Sequence, residues 1–587
     1  MLFRSAVFPH REVTPVFGGY PDVPWGTSAT MSPPSEVYAF RFTSRVGGDL
    51  GAQTSSDASG DADAVADETP FLGAEYGGGV PTMYRRRPVL DPDDVAAMLP
   101  VQLGSGVNLY GYYMFHGGRN PPGNRHGQES TATGGWNDLP VIDYDFQAPF
   151  GSNGEAHPVL GKLRPNHAFL HEWGSELASY AVHHPEIESR AADDLTTPRF
   201  SVRSDGERGF LFFNNHVRQH QMPAQTGVRF SVKLANRTIR MPSHPVDIPP
   251  DAYFIWPIAM RLGNADLRYS TAQPITRLAT SCGDTYVFQA IDGIPAEFAF
   301  ELKSVRAITA IDGTPLADLH MVDGALVVPL RAGRSALVTD AEGRKSNLVV
   351  LSARDAQRVA VLPFSGMRRL VFSDADMFEM NGQLVLRSIG EPVLKLGFYP
   401  PLHQMPSSTS LLQRAPDSGV FQMFTTSVTP RAAEVRTSLV RDAREVPAIA
   451  QGGPAKASIE PTAETFGNSA AWRIDMPENA LHGIGNAYLS IRYKGDVGRL
   501  FSGTELIDDN FYNGLEWRIS LKNVVIDSKL PLTLTVLPLR TDAPVYIDER
   551  YDPRIEAKAQ HKGQVASLES VSIVPEYEVR IGKQEVK

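Results

Sequence analysis

The sequence predicts a multidomain chain with an α/β segment of (β/α)-barrel rhythm at its start and antiparallel β-sandwich or jelly-roll domains after it. Three observations predict this. Two short apolar runs, Phe71-Leu-Gly-Ala-Glu75-Tyr-Gly-Gly-Gly79 and Gly106-Val-Asn-Leu-Tyr-Gly-Tyr-Tyr-Met-Phe-His-Gly-Gly-Arg-Asn120, end in glycines and polar groups. Buried parallel strands look this way where their C-terminal ends open into a site. Strand-like and helix-like segments alternate up to about residue 185. After about Thr196 the apolar period becomes two, punctuated by turn residues, as in antiparallel sandwiches.

In chain order, Val13–Phe17 is a short strand candidate closed by Gly18-Gly-Tyr-Pro-Asp22, and Val37–Phe42 is an apolar run of undecided type. The Gly/Ser/Asp/Ala-rich segment between Gly47 and Glu68 cannot bury enough surface to order itself and reads as an exposed loop. Its aspartates lack the spacing and terminal glutamate of a calcium loop. Strand Phe71–Glu75 follows. Asp91 then caps a helix with Pro92 in the first turn and acids at the positive end of the dipole. After the second glycine-ended strand, Val141–Pro149 is a further short segment, and apolar positions three and four apart predict a helix over His167–Ala178. Period-two runs at Arg208–Phe213, Val228–Leu234, Ala325–Leu330, Asn347–Leu351 and Ala360–Phe364 form the β region. Pro447–Lys456 reads as a linker, and Ala487–Tyr493 and Leu530–Leu539 as parts of a last sandwich.

A chain of 587 residues is too long for one core. The expected division is 1–190, 191–355, 356–455 and 456–587. No apolar run approaches the length of a membrane-spanning helix. The formal charge of −10 is spread along the chain, which argues against a nucleic-acid partner. The one basic run, Arg85-Arg-Arg87, reads as a solvated loop. A single cysteine, Cys282, excludes an intrachain disulfide and reads as a buried structural thiol at a strand end. No cofactor motif is present. His10, His116, His126, His157, His167 and His171 lack paired-ligand spacing, so no metal is expected.

At the glycine-ended strands the chain resembles glycoside hydrolase family 35, the retaining β-galactosidases. That family's nucleophile strand reads like P-F-x-x-x-E-F-Q-G-G, against Pro70-Phe-Leu-Gly-Ala-Glu-Tyr-Gly-Gly-Gly79 here. Its last barrel strand, N-L-Y-M-x-x-G-G-T-N, is similar to Tyr113-Met-Phe-His-Gly-Gly-Arg-Asn120, and S-Y-D-Y-D-A-P to Asp143-Tyr-Asp-Phe-Gln-Ala-Pro149. Gly209–Asn215 and Ala272-Gln-Pro274 are similar to the family's first β domain. The resemblance covers most of the first half and the last 130 or so residues only loosely.

It implies that Glu75 is the nucleophile of a double displacement on terminal β-D-galactosides, and that Tyr113, Tyr144, Tyr20 and Asn120 line the sugar subsite. Tyrosine suits that work: its ring face stacks on C–H groups while its hydroxyl reaches a sugar oxygen. Plainer readings stand beside these, with Glu75 as a salt-bridged structural group and Tyr113 as core packing. His116 is expected to be a hydrogen-bonded strut, and Asp143 and Asp145 to tie their loop. Three positions depart from the family pattern: Gly77 for glutamine, Arg119 for threonine at the rim, and Phe146 for the second tyrosine.

The family's acid/base glutamate lies in an Asn-Glu pair on the fourth strand, and this chain has no Asn-Glu dipeptide. About seventy residues precede Glu75, whereas six barrel strands with their helices need roughly 180. The resemblance therefore implies an incomplete (β/α)8 barrel, joined by a missing N-terminal half as partner and inactive or nearly so alone. The expected ligand is a β-galactoside oligo- or polysaccharide. Export to the periplasm or outside the cell is common in glycosidases of this build, but the compartment is not fixed by the sequence. The alternative is a noncatalytic carbohydrate-binding or scaffold protein with a vestigial barrel.

Overall fold

The computed structural model describes residues 16–42, 70–121, 138–189, 191–280, 283–452, 456–477, 480–524 and 531–582. The low-complexity segment between Gly47 and Glu68, and with it His10, His126 and Cys282, lies outside them. Strands dominate, helices are few, and the sheets are mostly antiparallel and sandwich-like. Among the described residues there is no closed barrel: the parallel sheet of the α/β region has three strands. It consists of β1 (Val16–Gly19), β2 (Phe71–Tyr76) and β3 (Val107–Tyr112), in that order.

The helix expected after Asp91 is present as α1 (Pro92–Ala96), running on as α2 (Met98–Gly104). Asp91 and Asp94 form a reciprocal capping box. Helix α2 is buried along its whole length, which explains its lack of a polar face. The undecided run at Val37–Phe42 holds a single 3-10 turn, Glu36–Tyr38, with Ser35 as cap. Helix α3 (Pro158–Ser179) contains the predicted 167–178 stretch and buries Leu163, Phe169, Trp173 and Leu177 against the first β domain. Two more short strands, β4 (Gly118–Arg119) and β5 (Asp143–Tyr144), pair antiparallel and bring the two loops that follow β3 together.

The first β domain packs an eight-stranded sheet, from Ala181–His183 to His320–Val322, on a five-stranded one built from strands between Gln273 and Leu351. Phe298, Phe300 and Val328 from one sheet meet Ala336, Val338, Leu348 and Val350 from the other. Downstream, Ser567–Ile581 is a 15-residue strand that pairs with Gln383–Ile389 on one side and Asn486–Lys494 on the other. One sheet thus crosses residue 455 and underlies two cores. Leu384, Leu386, Val579 and Ile581 belong to one, and Leu489, Ile491, Ile519 and Ile573 to the other. Within the stretch read as a linker, Gln451–Gly452 pairs with Ala457–Ser458 and Ile449 packs against the core of the last sandwich.

The basic run corrects the sequence reading. Arg85, Arg86 and Arg87 are all buried. Arg86 pairs with Asp22 at 2.8 Å and lies over the Tyr546 ring at 4.0 Å. Arg87 pairs with Asp496 at 2.5 Å and donates to the Asp496 and Tyr512 carbonyls. Tyr84 takes the second Asp496 oxygen at 2.7 Å. Arg85 donates to the carbonyls of Trp25 and Gly26. Burying guanidinium groups is tolerable only when their fork of donors is met this fully. The partners lie up to about four hundred residues away, so a local reading could not supply them. Arg86–Arg87 also pairs in parallel with Tyr546–Ile547, fastening the α/β region to the C-terminal sandwich.

Candidate active site

The site residues stand at the C-terminal tips of the three parallel strands. Both ladders slip at the same place: Phe17 pairs with Gly73 but Gly18 with Glu75, and Tyr110 pairs with Gly73 but Tyr112 with Tyr76. Ala74 is the unpaired residue on the β1 side, a bulge. Bulges re-aim the next side chain and occur beside active sites, and here the re-aimed residue is Glu75. Next door, Tyr20 follows directly on β1. Its hydroxyl donates to Glu75 Oε1 at 2.9 Å, and its ring stands edge-on to Trp25 with centroids 4.9 Å apart. Tyr20 is buried and Glu75 half-buried.

Tyr113 follows β3, its N–H continuing the ladder to the Tyr76 carbonyl at 2.8 Å. Its hydroxyl lies 3.3 Å from that of Tyr144 on β5. Phe146 completes the aromatic group, edge-to-face with Tyr113 at 5.5 Å and tilted on Tyr144 at 4.8 Å. Burial, then the charge and hydrogen bond of Glu75, push the Tyr20 hydroxyl far above its ordinary pKa, with Tyr113 and Tyr144 adding to the rise. Glu75 and the three tyrosines therefore form one electrostatic unit, in which Tyr20 remains a neutral donor.

The loop after β5 is held in an unfavourable conformation. Phe146 and Gln147 have φ of 63° and 50°, which costs about 1–3 kcal/mol each for residues with side chains. Four hydrogen bonds offset this. Gln147 N–H donates to Asp145 and its amide to the carbonyls of Pro88 and Val80, while Leu90 N–H donates to Gln147 Oε1. The same loop presses on the triple glycine after Glu75. A Cβ on Gly79 would stand 2.0 Å from the Phe146 carbonyl oxygen, and one on Gly78 would stand 2.1 Å from that of Met114. Gly79→Ala is therefore expected to lower stability by about 1–3 kcal/mol, the usual range for overpacking, and to displace Phe146. Chemical denaturation would measure the first and the near-ultraviolet tyrosine spectrum the second. Gly77, one of the departures from the family pattern, sits against the Tyr20 ring, where a Cβ would come within 2.6 Å.

The remaining sequence candidates have other partners. Asn120 donates its side-chain amide to the Val141 carbonyl at 3.1 Å and its backbone N–H to Ile142. Both bonds close the β4–β5 loops. Arg119, expected to add a charge at the rim, is instead bound to the last β domain through Asp508 at 2.5 Å and the Ile507 carbonyl at 2.7 Å. Burial works against the guanidinium charge, but the charge and hydrogen bond of Asp508 outweigh it and raise its pKa. His116 is exposed, stacks on Phe150 and pairs through Nδ1 with the Gly117 carbonyl. Asp145 ties its loop by accepting from Gln147 and Ser152 N–H groups.

Sequence reasoning missed three contributors. Trp25, which supports Tyr20, falls in a turn-rich stretch without periodicity. Asp508 and Asp509 come from the far end of the chain, and Asp509 accepts from the N–H groups of Val141 and Ile142 at 2.5 and 2.7 Å. A cavity of about 370 Å³ opens on the other side of Tyr144 and Phe146, toward Trp517 and Glu516. Asp143, Asp145, Glu155 and His157 line it, and Glu75 does not. Burial, and then the charges of Asp508 and Asp145, push the Asp143 carboxyl well up. No family model matches the chain, and no curated protein matches it.

Proposed function

We propose that this chain carries the nucleophile side of a retaining glycoside hydrolase of β-galactosidase type. The observation that carries the reading is the Tyr20–Glu75 hydrogen bond at the tips of adjacent parallel strands, with Tyr113 and Tyr144 converging beside it. In a retaining enzyme one carboxylate attacks the anomeric carbon and a second carboxyl, about 5–5.5 Å away, protonates the leaving oxygen. Glu75 takes the first role. Tyr20 fixes one carboxylate oxygen, which leaves the other to form the glycosyl ester. The Tyr113 and Tyr144 rings, backed by the buried Phe146, give the sugar a stacking face, and the two tyrosine hydroxyls offer it hydrogen bonds.

On this reading β1, β2 and β3 are strands of an incomplete (β/α)8 barrel. Among the described residues β1 and β3 each pair only with β2, and parallel strands are seldom left without neighbours. The partner is a polypeptide segment that supplies the other strands and the proton donor. Without that donor, hydrolysis of an ordinary galactoside lacks a factor of roughly 10²–10⁴.

The test is intact mass after incubation with a 2-deoxy-2-fluoro-β-galactoside bearing a dinitrophenolate leaving group, which needs little acid assistance. A single galactosyl adduct that is lost in Glu75→Gln supports the reading. An adduct that survives in Glu75→Gln, or none with the native chain, overturns Glu75 as a formed nucleophile here. The second reading, a noncatalytic glycan-binding protein, is favoured by the exposure of Tyr113 on an aromatic ledge. It is recognised by galactoside affinity that is unchanged in Glu75→Gln and accompanied by no adduct.

A further inference from the structure

We propose that Asp145, Glu155 and His157 form a binding site for one divalent cation of the Zn²⁺ or Mn²⁺ type. Each offers one ligand atom, and these atoms all lie within 4.8 Å of one another. Small side-chain rotations would bring them to the roughly 2.0–2.2 Å that such a cation requires. The site is separate from Glu75, on the wall of the cavity behind Tyr144 and Phe146.

A second observation points to the same ligand. Asp143 lines the same cavity and lies close enough to Asp145 to feel its charge. Its Oδ1 is enclosed and has no hydrogen-bond partner. A buried carboxylate oxygen without a donor is costly. A cation held by Asp145, or a water bound to that cation, would supply the missing partner.

The histidine is prepared for this role. His157 Nδ1 lies 2.8 Å from the Ala148 carbonyl, which can only accept, so Nδ1 carries the proton and the Nε2 lone pair is left as the ligand. Where the two carboxylates meet, only a hydrogen fits. A Cβ on Gly151 would stand 2.8 Å from both Asp145 Oδ1 and Glu155 Oε2. Two carboxylates held this close repel, and a retained proton or a bound cation relieves the repulsion. One imidazole with two carboxylates suits a borderline cation better than Ca²⁺ or Mg²⁺, which prefer all-oxygen shells. A bound cation would pin the loop from β5 to the start of α3, and with it Tyr144 and Phe146.

The test uses the full chain, dialysed against a chelator and titrated calorimetrically with ZnCl₂, MnCl₂ and CaCl₂, with elemental analysis of the washed protein. The expected result is one equivalent of Zn²⁺ or Mn²⁺ and a raised thermal midpoint. In Glu155→Gln and His157→Gln the affinity should fall by more than the roughly 10–100-fold typical of outer-shell losses. His157 is only half-buried, so its variant keeps the test intact if Glu155→Gln does not fold. No stoichiometric binding, binding of Ca²⁺ alone, or an affinity unchanged in the folded variants would overturn the site. None of these readouts depends on glycosidase activity.

Discussion

Arg87→Met should lower the stability of the chain by about 3–5 kcal/mol, the range for removing one partner of a buried ion pair. The size follows from what Asp496 loses. Its carboxylate is buried, holds Arg87 at 2.5 Å and accepts from Tyr84 at 2.7 Å. Without the guanidinium, the charge keeps a single neutral donor and no access to solvent. The Tyr512 carbonyl loses its donor and the Asp496 carbonyl one of its two, the other being the Tyr512 N–H, and the Tyr84 and Phe511 rings lose the cation beside them, at 5.0 and 5.7 Å. Denaturant unfolding followed by tryptophan fluorescence gives the magnitude. Adding Asp496→Leu to Arg87→Met should recover part of the loss, because replacing both charges is far less damaging than stranding one. If the double variant is no more stable than the single one, the charge is not the reason.

Tyr20→Phe should slow formation of the galactosyl adduct by roughly 10–150-fold while leaving it detectable. A hydrogen bond to a charged group is worth about 1.5–3 kcal/mol, and each 1.36 kcal/mol is a factor of ten in rate. The ring of Tyr20 keeps its edge-on contact with Trp25 in the variant, so the hydroxyl is the only group removed. Time-resolved intact mass measures the rate. Glu75→Gln is the companion: it keeps the shape and removes the nucleophile, so the adduct should vanish rather than slow. Equal rates for the native chain and Tyr20→Phe would mean that the 2.9 Å contact does not orient Glu75.

Local chemistry made some of this legible in the sequence. The Phe71–Tyr76 strand and the helix at Asp91 were readable because an apolar run closed by glycines, and a cap with acids behind it, are signals that a short window contains. The β region was readable from its period. The bulge at Ala74 was not, because a slipped register depends on both neighbouring strands. The Tyr20–Glu75 contact spans 55 residues, so sequence could nominate both members without pairing them. Arg85–Arg87 was misread for the same reason: a run of charges looks solvated until Asp22 and Asp496 arrive from elsewhere. Asp145, Glu155 and His157 have no regular ligand spacing, because a folded loop, not a helix face, brings them together.

The strand Ser567–Ile581 also sets an order of events during synthesis. It supplies the neighbour of Gln383–Ile389, pairing Ile581 with Leu384, yet almost two hundred residues emerge from the ribosome between the two. At about 5–20 residues per second this leaves Gln383–Ile389 with an open edge for roughly 10–40 s. The first β domain, whose strands lie between Ala181 and Leu351, closes early and can fold as it is made. The two sandwiches that share the late strand must wait together. Nascent chains of this protein are therefore most exposed to aggregation late in translation, and a ribosome stalled shortly before residue 567 would release a molecule with one finished domain and two unfinished ones.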